Sequence, residues 1–128
     1  WPTAWNPLIW RGYVSTDSFW ELHTIDLARE FDPERGQLFY KPEEAALVNA
    51  ARRTPEAQAF LRFAQFPVWR VLPLPDPEGA TLIEATDVRF GPPEDGKFQL
   101  TIVLDAARRP LRASFTFGNP AKGLGIVR

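Results

Sequence analysis

Thr54-Pro55-Glu56-Ala57-Gln58-Ala59-Phe60-Leu61-Arg62-Phe63-Ala64-Gln65-Phe66-Pro67-Val68-Trp69-Arg70-Val71 reads as a helix that hands over at a proline to a strand. Thr54 suits the N-cap, and Pro55 suits the first helical position, where a missing N–H costs nothing. Glu56 sits where the helix dipole favours negative charge. Ala57, Phe60, Leu61 and Ala64 follow i, i+3, i+4, i+7 spacing, and Phe63 and Phe66 widen that stripe. Gln58, Arg62 and Gln65 face the other way. A face this apolar needs a sheet to cover it, and the strand that starts after Pro67 supplies the first piece.

Strands flank this segment on both sides. Residues 8–14 and 19–27 are rich in aromatic and branched side chains and are separated by Ser15-Thr16-Asp17-Ser18, a cluster of turn formers. They predict a hairpin with bulky residues on both faces, so a period of two does not choose an inside. Residues 31–36 form a turn and 37–40 a short third strand. A first helix is expected from Pro42 to about Arg53, with acids in its first turn and Arg52 and Arg53 in its last. The closely spaced prolines of 73–79 make a loop. Residues 80–90 read as a strand whose apolar parity changes, which suggests a β-bulge near Thr86 and Asp87. Residues 97–105 alternate cleanly through Phe98, Leu100, Ile102 and Leu104, and Leu111, Ala113, Phe115 and Phe117 give the last strand. Gly118-Asn119-Pro120 stops it, and the tail beyond shows no pattern. The order β-β-β-α-α-β-β-β-β predicts an α+β fold: one curved antiparallel sheet of six or seven strands packed on the helical segment.

Composition narrows the function classes. The 128 residues fit a single domain with one substantial core, and 45% hydrophobic with 24% charged residues exclude general disorder. Fifteen basic and sixteen acidic residues leave a formal charge of -1, which provides no field for nucleic acid. With no cysteine, disulfides, thiolate metal sites and cysteine nucleophiles are excluded. No apolar run approaches the ~20 residues that span a bilayer. The chain is expected to be soluble. It begins at Trp1 rather than methionine, which suggests a processed protein or a fragment of a longer one.

Few residues announce chemistry. His23 is the only histidine, so a zinc site would need mostly carboxylates, and a strand histidine at a hairpin surface is the commoner reading. Ser15 or Ser18 with His23 and Asp26 lie in one hairpin without a nucleophile elbow, an arrangement better explained by chance. Among the paired acids, Glu84 and Asp87 stand out because they lie within a predicted strand. No phosphate-binding loop is present. What remains is a set of arginines beside aromatics: Trp10-Arg11, Trp69-Arg70 and Arg89-Phe90. Alternation in strands would send Trp10, Trp69 and Phe90 inward and Arg11, Arg70 and Arg89 outward, forming an anion-recognising face. Ordinary ion pairs with Glu84, Asp87 or Glu21 are the commoner alternative.

Asn6-Pro7-Leu8-Ile9-Trp10-Arg11-Gly12-Tyr13-Val14, Phe60-Leu61-Arg62-Phe63-Ala64-Gln65-Phe66-Pro67-Val68-Trp69-Arg70-Val71 and Asp87-Val88-Arg89-Phe90-Gly91 together resemble the C-terminal soluble region of bacterial membrane-bound metal-dependent hydrolases, the YdjM-like inner-membrane family. The resemblance implies a parent whose metal-binding active site lies in a multi-helix membrane part upstream of Trp1. No catalytic residue, metal site or cofactor is then expected in these 128 residues, although the upstream part could hold a metal. The expected partners are that transmembrane region and, through the tether, a membrane surface on the extracytoplasmic side. On this reading the chain is an accessory or recognition domain acting through Arg11, Arg70, Arg89, Trp10 and Trp69. The alternative is a self-contained ligand-binding domain or hydrolase, with a pocket between sheet and helix that uses Glu84 or Asp87.

Overall fold

A computed structural model describes residues 1–117 and, for the backbone, 125–127. The chain divides into two compact units, residues 1–41 and 42–128. The predicted Gly118-Asn119-Pro120 stop lies outside the described residues.

The first unit is an antiparallel meander of β1 (Ile9–Ser15), β2 (Phe19–Asp26) and β3 (Gln37–Tyr40). Thr16 closes the β1–β2 turn, its hydroxyl accepting the Phe19 N–H at 3.1 Å. The residues before β1 lengthen the sheet edge: Pro2 bridges to Trp10, and Arg11 N–H donates to the Trp1 carbonyl at 2.6 Å. Between β2 and β3 the chain makes a 3-10 turn, Pro33–Arg35, capped by the Asp32 carboxylate. Register resolves the two-sided hydrophobicity. Trp10, Val14, His23, Ile25, Leu38 and Tyr40 share one face, while Tyr13, Trp20, Leu22 and Phe39 share the other. Trp20 is buried, whereas Trp10, Val14, Leu38 and Tyr40 stay exposed. His23 lies within 3.1 Å of Glu21 and meets the edge of the Phe31 ring. Gly36 passes so close that a Cβ there would stand 2.6 Å from His23 Cε1. A side chain there would require Glu21 and His23 to move aside.

The second unit carries the helices α1 (Ala45–Arg52) and α2 (Pro55–Phe63), then β4 (Pro67–Pro73), β5 (Thr81–Asp87), β6 (Phe98–Leu104) and β7 (Pro110–Phe117). The short β8 (Gly125–Val127) pairs at the β7 edge, giving the order β4-β5-β6-β7-β8. Thr54 is the hinge of the helical segment. Its hydroxyl accepts the Ala57 N–H at 3.2 Å and donates to the Ala51 carbonyl at 2.7 Å, so one side chain closes α1 and opens α2. The registers Trp69↔Ala85, Ala85↔Leu100 and Leu100↔Phe115 run across the sheet face that carries Ile83, Ile102 and Leu104. With Ala57 and Phe60 of α2 these residues make the core, and Phe60 stacks on Phe98 at 5.2 Å. Full burial of a side chain such as Phe60 contributes about 1.5–3 kcal/mol.

The mixed helix and antiparallel-sheet content agrees with the sequence, and so does the element order up to β7; β8 falls in the tail where no element was expected. Three expectations are corrected. The single curved sheet of six or seven strands is not formed: β3 pairs only with β2 and β4 only with β5, so the ladder breaks across the helical segment and two sheets result. The first helix begins at Ala45 rather than Pro42, because Glu44 has non-helical angles (φ -82, ψ 65) and provides no side-chain cap. The strand predicted to reach Phe90 ends at Asp87, whose carboxylate caps a 3-10 turn, Val88–Phe90. That turn explains the parity change without a bulge at Thr86. The register does shift between Val103 and Leu104, where β6 meets β7.

Candidate functional site

Four aromatic residues from separate pieces of the second unit converge at one end of its sheet. Phe63 is the last residue of α2, after the buried stripe of Ala57 and Phe60 has been spent on the core, and it stays 68% exposed. Phe90 closes the 3-10 turn and is 51% exposed. It is kept out of the ladder by Gly91, whose φ of 146° is a conformation that side chains other than hydrogen rarely allow, and by Pro92 and Pro93 behind it. Phe98 and Phe117 are register partners at the ends of β6 and β7, the first buried and the second 50% exposed. These four phenylalanines, with Arg89 and Lys97, line a cavity of about 670 Å³. That volume falls in the range of small-ligand sites, roughly 300–1,000 Å³.

Three of the four rings already touch. Phe98 sits at the centre, 5.2 Å from Phe90 at 58° and 4.9 Å from Phe117 at 59°, with Phe60 stacked beneath it. The result is a continuous, tilted apolar surface anchored to the core. Exposed aromatics gathered into one concave patch signal a contact site more than scattered ones do.

Arg89 is held in this wall by a buried carboxylate. Asp87 has no solvent exposure; its carboxylate accepts the backbone N–H groups of Gln65 at 3.0 Å and Arg89 at 3.1 Å. It also accepts Arg89 Nε at 2.9 Å and Nη2 at 2.7 Å, and Nη2 donates further to the Phe63 carbonyl at 2.9 Å. One acid thus joins the end of α2, the start of β4 and the 3-10 turn. Such a set of bonds is what offsets the desolvation of a buried charge. Arg89 Nη1 is left without an acceptor among the described residues. Among the described residues Lys97 has only Asp95, 3.7 Å away with both side chains about half exposed. A pair that long and that wet contributes little.

The other predicted site residues lie apart from the groove. Arg70 and Glu84 are register partners on β4 and β5, on the sheet face opposite the helices, and they form an ion pair there. Trp69 is 2% exposed on the helix side, with the Arg52 guanidinium 5.1 Å above its ring. Its indole N–H has no acceptor among the described residues. Arg11 and Trp10 belong to β1 in the first unit; Arg11 is exposed, and the half-exposed Trp10 donates its indole N–H to the Pro7 carbonyl at 2.9 Å. Glu84 and Asp87 each serve an arginine, Arg70 and Arg89 respectively. Only Arg89 and Asp87 of the predicted set bear on the groove. Phe63, Phe90 and Phe117 were missed because apolar residues in predicted elements read as core, and Lys97 because it read as the ordinary first residue of a strand. The available signal was position: three of these phenylalanines end their elements.

Among the described residues no group of three or more histidine or carboxylate side chains could hold a metal, and no helix is long and apolar enough to cross a membrane. No protein-family model, curated protein or solved structure matches the chain.

Proposed function

We propose that the second unit is a non-catalytic binding module for a small apolar ligand, received in the groove formed by Phe63, Phe90, Phe98 and Phe117. The observation that carries this reading is the convergence of those rings on one cavity of about 670 Å³. Among the described residues its lining holds no carboxylate, imidazole or hydroxyl that could act on a bound molecule. Burial of an apolar ligand against exposed rings provides the driving force, and the rigid floor of Phe98 on Phe60 limits the ordering cost.

Titration of the full chain with 1-decanol, followed by backbone amide NMR, tests this. Shifts should centre on residues 63, 90, 97, 98 and 117, and the double variant Phe63→Glu/Phe90→Glu should weaken binding at least about tenfold with little change in melting temperature, since both side chains are exposed. Shifts confined to another surface, or unaltered affinity in the double variant, would refute the groove.

A second reading follows from the family resemblance: an accessory domain of a membrane-bound metal-dependent hydrolase, working at the membrane surface. Support comes from the first unit, where Trp5 is 97% exposed and Leu8 and Trp10 are exposed as well. Tryptophans with an apolar body and a polar N–H favour the membrane–water boundary. Co-sedimentation with phosphatidylcholine vesicles should drop severalfold in Trp5→Ala/Leu8→Ala; absence of vesicle binding by the unaltered chain counts against this reading.

A further inference from the structure

We infer that the ligand of the aromatic groove is a single-chain carboxylate, its methylene tail laid over Phe63, Phe90, Phe98 and Phe117 and its anionic end held by Lys97 Nζ and Arg89 Nη1. This inference rests on the groove being a ligand site and adds the chemistry of the occupant.

Charge comes first. Among the described residues, the ionisable side chains that line the cavity are two cations, Arg89 and Lys97, while their acidic partners Asp87 and Asp95 are not part of the lining. A cation beside apolar surface is a demand for an anion once ligand has displaced the water there. Arg89 meets that demand in a fixed pose. Its Nε and Nη2 are spent on Asp87 and the Phe63 carbonyl, which locks the guanidinium plane, and among the described residues its Nη1 hydrogens are left over. Lys97 complements it with a mobile donor, because its link to Asp95 at 3.7 Å exceeds hydrogen-bond length and is open to water. A carboxylate arriving at Nζ makes a charge-assisted bond that Asp95 does not. Gly91 leaves room for this exchange: a Cβ there would stand 3.3 Å from both Asp95 Oδ2 and Lys97 Cδ, crowding the two groups that must part.

Shape then selects the tail. Around Phe98 the neighbouring rings meet at 58° and 59° with centroids 5.2 and 4.9 Å apart, so the cavity wall is tilted and uneven rather than one flat plate. A flexible methylene chain follows such a tilted surface by rotating its bonds.

The test compares decanoate, 1-decanol and decyltrimethylammonium, one tail with three ends, binding to the full chain by calorimetry and amide NMR. Decanoate should bind about tenfold or more tightly than decanol, and decyltrimethylammonium more weakly than decanol. Lys97→Gln, at an exposed position, should remove most of the decanoate advantage over decanol, measured as the ratio of the two affinities within the variant, with the melting temperature unchanged. The advantage should also fall as salt rises, as expected for a partly exposed ion pair. Equal affinity for decanoate and decanol, or an advantage that survives Lys97→Gln, overturns the carboxylate assignment but leaves the groove as an apolar site. Failure of all three to bind at millimolar concentration, or shifts away from residues 63, 90 and 117, overturns the groove itself.

Discussion

Asp87 is the side chain on which the groove most depends, although it does not line it. Its carboxylate is buried and collects hydrogen bonds from Gln65 N–H, Arg89 N–H and the Arg89 guanidinium. Asp87→Asn keeps the shape and removes the charge, leaving Arg89 unpaired. The expected loss is roughly 3 kcal/mol in urea denaturation, and combining it with Arg89→Met should recover part of that, since replacing both members of a buried pair is far milder than removing one. A double variant as unstable as Asp87→Asn alone would show that the backbone bonds, rather than the ion pair, carry the effect. Asp105 gives a contrasting case in a solvated turn. It accepts the Arg109 and Ala107 N–H groups at 2.8 and 2.9 Å and pairs with the Arg109 side chain. The Arg109 backbone bond is the main reason its carboxyl is held below the usual 3.8. A carboxyl depressed in the folded state contributes stability above its unfolded value and loses it as pH falls through the depressed one. An NMR titration should therefore place the Asp105 midpoint below that of aspartate in an unstructured peptide, and Asp105→Asn should remove this part of the acid dependence.

Among the elements, α1 and α2 are coupled through one hydroxyl. Thr54 is buried, ends α1 at the Ala51 carbonyl and starts α2 at the Ala57 N–H. Thr54→Ala should cost about 1–2 kcal/mol by thermal denaturation, at the upper end for an N-cap because two bonds are lost; Thr54→Ser should be much milder. A serine variant as damaged as the alanine one would point to methyl packing instead of the hydroxyl. This junction was legible in the sequence because capping is local: Thr-Pro-Glu ahead of an apolar stripe carries its own instructions. The end of β5 was legible in principle, since Asp87 precedes a glycine and two prolines, but the apolar Val88 and Phe90 outweighed it. Aromatic character recommends a residue for a strand, and it cannot say that the strand has already stopped.

At the scale of the molecule, the inner strands of the larger sheet are lined with fully buried residues: Ile83 and Ala85 on β5, and Leu100, Ile102 and Leu104 on β6. Amide hydrogen exchange should be slowest there and much faster in β3, a four-residue strand at a sheet edge. Equal protection in β3 would contradict this gradient. The two-sheet division was not legible because strand partners are chosen at a distance: nothing local in Gln37–Tyr40 tells it to pair with β2 alone. The groove was equally hidden, since Phe63, Phe90, Phe98 and Phe117 are scattered over 55 positions and become one surface only after β6 and β7 align. The candidate site lies at the free ends of elements, where packing demands relax and side chains are available for another use. A last consequence concerns self-association. The outer strand of the larger sheet, β4, both begins and ends with proline, Pro67 and Pro73. Neither can donate to an added strand, so an incoming chain would find too short a row of donors between them to nucleate growth. That edge is guarded against fibril formation at high concentration, and Pro67→Val with Pro73→Val would open it without touching the groove lining.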